Sequence, residues 1–314
     1  MKPHPDILAK ASFPEVIDSS ILATFSCPTK FLYQYCLNLS PSNKSIHLHA
    51  GGAFAHAVET VRKSFYLANN SLDTALYDGW RALISYWGTY DDVPSEGSGY
   101  YKDFINISAA LFDYFREYDP ETDHIQPFRK HNGAPAVEFT FSIPLRITHP
   151  ETGNPLIYAG RCDMIGEYQG NVCVVDEKTT YTFMPNWASS FDMRGQFLGY
   201  TWAARQFDIP ASMCVVRGIA IQQKSIKHQE ALIQYGNFQI ERWYEEMIYK
   251  VEKLKEIWIN KDFPMSYGDA CSAYGGCSMM DLCKSPNPEI WLDSYTVRKW
   301  NPLDVGQVKS GSEV

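Results

Sequence analysis

Three consecutive segments between residues 137 and 176 read as β-strands with short turns between them, the first on a strict two-residue period. In the first, Val137, Phe139, Phe141, Ile143, Leu145 and Ile147 alternate strictly with the residues between them. Alternation of this kind buries one face of a strand and leaves the other wet. Thr152-Gly153-Asn154 then turns the chain, and a second strand is expected from Leu156 to Tyr168. After a further turn at Gln169-Gly170-Asn171, Val172-Cys173-Val174-Val175-Asp176 reads as a third. Connections this short join antiparallel neighbours, so a meander is predicted.

Helical periodicity dominates on both sides of this block. Ser19 or Ser20 is expected to cap a helix carrying Ile21, Leu22 and Phe25. Pro28 either breaks it or opens a second helix with Phe31, Leu32, Tyr35 and Leu39 on one face. Phe54, Ala57, Val58, Val61 and Phe65 form another apolar stripe, and Phe104, Ile107, Leu111, Phe115 and Tyr118 a third. Downstream, helix is expected over about 186–207, strand over Val215 to Ile221, and a long helix through Trp243, Met247, Val251, Leu254 and Trp258. The pattern predicts a mixed α/β core with helices before and after it. At 314 residues, one domain with elaborations (1–314) fits better than two full ones. Its parts are a helical portion 19–135, a core 136–225, and a C-terminal portion 226–314 with a long helix, a Cys-rich segment and an aromatic tail.

A net charge of −8 argues against a protein that coats nucleic acid through a general basic field, though not against one with a local cleft. Met1-Lys2-Pro3-His4-Pro5 lacks the apolar run of a signal peptide, and no stretch approaches the length of a membrane span. A cytoplasmic chain is expected. In that reducing setting, clustered members of the eight cysteines point to metal or redox chemistry rather than disulfides.

Chemistry concentrates in Gly160-Arg161-Cys162-Asp163 and Val175-Asp176-Glu177-Lys178. Two carboxylates on adjacent strands can share one or two Mg2+ or Mn2+ ions, because hard cations take oxygen ligands. Asp176 and Lys178 are two apart, so on a strand they leave the same face, where Lys178 can assist an attacking water or steady a developing phosphorane. Taken alone, an Asp-x-Lys triplet is most often a surface ion pair. Its setting, a hairpin's length after Asp163, raises it. Glu138 on the polar side of the first strand reads as a surface glutamate.

These residues, in this order, resemble the RecB-like branch of the PD-(D/E)XK nucleases, similar to the CRISPR-associated and AddB-type iron–sulfur exonucleases. That branch carries Gly-x-x-Asp, Asp/Glu-x-Lys and a helix with Gln-x-x-x-Tyr, matched here by Gly160 with Asp163, Asp176 with Lys178, and Gln196 with Tyr200. Its upstream Gly-x-x-x-His is matched by Gly52 and His56. The resemblance implies a restriction-endonuclease-like core, a central mixed sheet flanked by helices. It implies a metal shell of His56, Asp163, Asp176 and the Glu177 carbonyl, with Gln196 and Tyr200 touching the site or the DNA backbone. The activity implied is metal-dependent hydrolysis of DNA, by exonuclease action on single-stranded ends. The setting implied is repair, recombination or phage and mobile-element processing, alongside helicase or recombination proteins.

Cys27, followed by Pro28, resembles the first cluster ligand of the iron–sulfur members, whose other three ligands follow the core. Cys271, Cys277 and Cys283 stand there. Four thiolates suit a [4Fe–4S] cluster, and the same four suit zinc. Five residues separate Cys271 from Cys277, where many members have two; Gly275 and Gly276 permit a tight reversal. Cys162, Cys173 and Cys214 are expected in the core; Cys36 is a spare candidate ligand whose place on an apolar helical stripe suggests packing. Two rival functions stand beside this one. One is an idle DNA-end-binding protein that retains fold and cluster; the other is a site-specific endonuclease of the same superfamily.

Overall fold

The computed structural model describes residues 5–42, 45–88, 101–272 and 276–303; Met1 to His4 and Gly275 lie outside the described residues. In chain order the first elements are short: α1 (Pro5–Leu8), β1 (Val16–Ile17), α2 (Ser19–Ala23), α3 (Pro28–Phe31) and β2 (Leu39–Pro41). Neither Ser19 nor Ser20 caps α2. Asp18 does, accepting from the Ile21 amide at 2.8 Å, which makes both serines its first helical residues. Pro28 opens α3, and a π-helical turn carries it to Cys36. Leu39 lies beyond the helix, in β2.

Three helices follow: α4 (Ile46–Arg62), α5 (Leu72–Trp87) and α6 (Phe104–Glu117). Ser71 and Asp103 cap α5 and α6, each accepting a backbone N–H three residues on. Next come β3 (Gln126–Pro127), β4 (Val137–Thr148), β5 (Pro155–Tyr168) and β6 (Asn171–Thr180), the last three at the places expected. Helix does not resume at residue 186. Ser189–Phe191 forms one tight turn, and α7 spans Gly195–Arg205 only. The reason is aromatic packing: Phe183, Trp187 and Phe191 stack edge to face at 4.9 Å per step and hold this stretch as a loop. Then come β7 (Met213–Ile221) and β8 (Ile226–Gln234), the second unexpected, and α8 (Asn237–Asn260). The chain closes with α9 (Asp269–Ser272), α10 (Met280–Lys284) and β9 (Tyr295–Val297).

The chain forms two compact units. The larger comprises the described residues of 44–140 and 161–240 and holds most of the mixed sheet. There β6 runs antiparallel to β5, parallel to β7 across the α7 crossover, and β7 antiparallel to β8. Glu177 and Ile219 lie toward α4 and α6, while Lys178 lies toward Phe197 of α7, so helices flank the sheet on both faces. Phe54, Val58 and Val61 of α4 pack with Leu83, Ile107, Leu111 and Ile219 into its principal core.

The smaller unit comprises 1–43, 141–160 and 241–305. In it β1 lies parallel to the first part of β5, and β2 pairs antiparallel with β9, joining chain segments nearly its full length apart. Trp300 donates its amide to Asn38 Oδ1 at 3.2 Å, so the aromatic tail packs on the N-terminal segment. Cys36, Cys162, Cys173 and Cys214 are all fully buried, as expected.

Candidate active site

Asp163 on β5 faces Asp176 on β6 where the two strands part. Their ladder ends at Met164–Val175, so neither aspartate belongs to it. Just beyond, the Glu177 amide donates to Asp163 Oδ2 at 3.0 Å, and a side chain takes the acceptor role that the neighbouring strand has vacated. On its other edge β6 stays paired to β7 as far as Thr180. Alternation sends Asp176 and Lys178 to one face of β6 and Glu177 to the other. Lys178 is ion-paired with Asp176 and stands 5.7 Å from the ring of Phe197.

On the opposite face, Glu177 is gripped. Arg62 Nη1 donates to its Oε2 at 3.0 Å, Arg62 Nη2 closes on its Oε1, and Tyr114 Oη donates to Oε1 at 2.8 Å. Burial pushes the Glu177 carboxyl up, but the guanidinium outweighs it and holds it down to about 2. That side chain is held by α4 and α6, while its backbone amide binds Asp163 and its charge acts on the same aspartate.

Helix α4 supplies His56 and Glu59. A methyl at Gly52 would overlap the hydroxyl of Tyr86, whose ring lies 5.2 Å from that of His49 and 5.7 Å from that of His56. The glycine of Gly-x-x-x-His therefore makes the notch in which Tyr86 lies against the histidine. Glu59 is shared by Lys63 and Arg161, the second at 3.2 Å to both oxygens. Arg161 also pairs with Glu138 at 3.1 Å. Glu138 adopts φ of 53°, a backbone state glutamate rarely takes. It is therefore no ordinary surface glutamate but part of a buried cluster beside the aspartates. From α7, Gln196 Nε2 donates to Tyr200 Oη at 3.0 Å, and Tyr200 lies within the fields of Asp176 and Asp163.

Burial raises the pKa of Asp163, and the charges of Asp176, Glu177 and Glu138 raise it further. Burial raises that of Asp176 as well, against the pull of Lys178. Crowded carboxylates with raised pKa values are short of positive charge. Three polar atoms here are buried without a hydrogen bond: Asp176 Oδ2, Glu138 Oε2 and His56 Nδ1. The first two do touch Lys178 and Arg161, but off hydrogen-bonding geometry. His56 Nδ1 stands 3.9 Å from Glu59 Oε2, too far to bond. Oxygen and imidazole donors with spare capacity fit a hard divalent cation. Even so, among the described residues no three His, Cys, Asp or Glu side chains are drawn into a ligating group. Asp163 and Asp176 are together, and His56 stands on the neighbouring helix without closing on them.

The four cysteines expected to act together are neighbours in the smaller unit, and all are free thiols. Burial and the charges of Cys27, Cys277 and Cys271 push the Cys283 thiol up to about 11. The Cys277 amide donates to the Cys271 carbonyl at 2.9 Å, which folds that segment back on itself. The same absence of a ligating group among the described residues applies here.

Sequence reasoning missed Arg62, Tyr114 and Arg161. Arg62 had a signal: it falls four residues after Val58, on the apolar stripe of α4, where a charge requires a buried partner. Arg217, inside an apolar strand, had the same one. It is fully buried and bonds Asp123 at 2.6 and 2.7 Å.

No curated protein matches the chain. The solved structure described as "Crystal structure of SSO0001" is 13% identical, with a TM-score of 0.34 over 90% of this chain and 91% of that one. The model of the PD-(D/E)XK nuclease superfamily matches residues 19–284, which includes every site residue named above. The chain belongs to the PD-(D/E)XK nuclease superfamily.

Proposed function

We propose that this protein is a divalent-metal-dependent deoxyribonuclease of the RecB-like branch, acting as an exonuclease on single-stranded ends. The observation that carries the reading is the meeting of Asp163 and Asp176 at the point where β5 and β6 part, with Lys178 paired to Asp176. Asp163, Asp176 and His56 would hold Mg2+ or Mn2+ with the Glu177 carbonyl. The bound ion polarises a phosphate and lowers the pKa of water. Lys178, kept charged by Asp176 and Asp163 against its burial, orients the attacking water and steadies charge on the phosphate. Gln196 and Tyr200 would contact the site or the DNA backbone from α7. Cys27, Cys271, Cys277 and Cys283 would hold a [4Fe–4S] cluster, or zinc in its place. The setting is cytoplasmic repair, recombination or phage DNA processing beside helicase or recombination proteins.

The test is cleavage of end-labelled single-stranded DNA by Asp176→Ala and Lys178→Ala. Each should lose at least a hundredfold in rate while melting as a folded protein, since site chemistry changes and core packing does not. Full Mg2+-dependent cleavage by both variants would remove these residues from the site. Absence of cleavage by the unaltered protein, with DNA ends still bound, would favour the idle end-binding protein.

A further inference from the structure

A column of aromatic rings stands where β6 runs out. Tyr181, the residue after the strand, is 49% exposed, and its ring centroid lies 4.4 Å from that of Tyr101. Tyr101 stacks in turn on His47, with centroids 5.7 Å and planes 30° apart. His47 is exposed in the first turn of α4, with Leu48 80% exposed beside it. Three separate stretches of chain thus bring rings together at the surface, and none of the three belongs to the core of the larger unit. Rings of this size ordinarily bury their faces, so a stack held open to solvent calls for a partner.

The column is tied to the site strand. Lys102, next to Tyr101, donates from Nζ to Thr179 Oγ1 at 3.1 Å, and Thr179 adjoins Lys178. Lys102 is 6% exposed and, among the described residues, pairs with no carboxylate. Burial lowers its pKa, and its place is that of a tie between the rings and the strand. Burial and Lys102 together lower the pKa of His47, which keeps the imidazole a neutral ring. At about 3.3 Å of rise per strand residue, Tyr181 stands roughly 10 Å along the chain from Lys178.

We propose that His47, Tyr101 and Tyr181 are a stacking platform for the unpaired bases of a DNA strand led into the site, tied to the site strand through Lys102 and Thr179. The proposal rests on the nuclease reading and names the form of its substrate. Every base has a π-face, so stacking is indifferent to sequence, and only unpaired bases offer that face freely. With a net charge of −8 the chain has no general basic field to hold DNA, which leaves local contacts such as these to supply affinity.

The experiment is fluorescence anisotropy on the full chain without Mg2+ or Mn2+, so that binding is read without cleavage. Three labelled probes are compared: oligothymidylate, an abasic strand of equal length, and a blunt duplex. The unaltered protein should prefer oligothymidylate to the abasic strand on the order of tenfold, and Tyr181→Ala should abolish that preference. Binding of the abasic strand should not change. Tyr181→Trp should retain the preference, while Tyr181→Leu, which keeps bulk and loses the π-face, should not. Equal affinity of the unaltered protein for thymidylate and abasic strands would overturn the proposal. So would an equal loss on all three probes, or a Tyr181→Ala protein that still discriminates. Base-dependent binding by a protein that never cleaves would sink the nuclease reading and leave the platform standing; cleavage without base-dependent binding would do the reverse.

Discussion

Glu177 is the least conspicuous residue of the Asp-x-Lys triplet and the most tightly held. Its carboxylate is buried against Arg62 and Tyr114, and its amide is what meets Asp163. Removing one partner of a buried ion pair leaves an uncompensated charge, whereas removing both leaves an apolar contact. Arg62→Met should therefore cost about 3–5 kcal/mol in urea unfolding, and Arg62→Met with Glu177→Met should recover most of it. A double variant as unstable as the sum of the singles would contradict the pairing. This clamp was hidden in the sequence because its partners are 115 residues apart. Asp163, Asp176 and Lys178 were legible because their chemistry is local: a two-residue spacing on one strand and a short hairpin back to its neighbour.

At the scale of elements, β4 could be read almost to the residue, since a half-buried strand writes its period into the chain, while β6 runs on to Thr180, four residues past the expected end. Two elements could not. β8 alternates weakly, with Lys227, His228, Gln229 and Glu230 among its first residues, as befits an edge strand that must not recruit another. The loop before α7 has helical spacing of Phe183, Trp187 and Phe191, yet those rings stack on one another and lie over Gly218 of β7. Gly218 is registered with Lys178, so this loop is set beside the site strand. A methyl at Gly218 would overlap Trp187 and Phe183. Gly218→Ala should accordingly cost about 1–3 kcal/mol, and clearly less in a Trp187→Leu background that frees the space. Equal costs in the two backgrounds would show that the loop does not rest there.

For the whole molecule, the smaller unit brings the N-terminal segment together with the stretch after residue 241. β2 pairs with β9, Thr29 Oγ1 donates to the Phe263 carbonyl at 2.8 Å, and the Cys283 thiol feels Cys27 from the far end. An inorganic centre bound by these cysteines would cross-link a loop that is costly for a free chain to close. Protein purified without oxygen should then show broad visible absorption, which zinc would not give. Replacing any of Cys27, Cys271, Cys277 or Cys283 by Ser should remove the metal and lower the melting temperature together, while Cys214→Ser should spare the metal. Metal content unchanged in all four variants would exclude the site. Chain order suggested that these cysteines act together; how closely four thiols approach depends on backbone turns that spacing does not encode. The central claim concerns the carboxylates, and it is met most directly by following 5′-labelled single-stranded DNA with the unaltered protein in Mg2+, Mn2+, Ca2+ or excess chelator. The account predicts stepwise shortening with Mg2+ or Mn2+ and none with Ca2+, whose looser coordination suits oxygen ligands but not the reaction. It predicts none with chelator and none on a circular strand. Undiminished cleavage in excess chelator would contradict it.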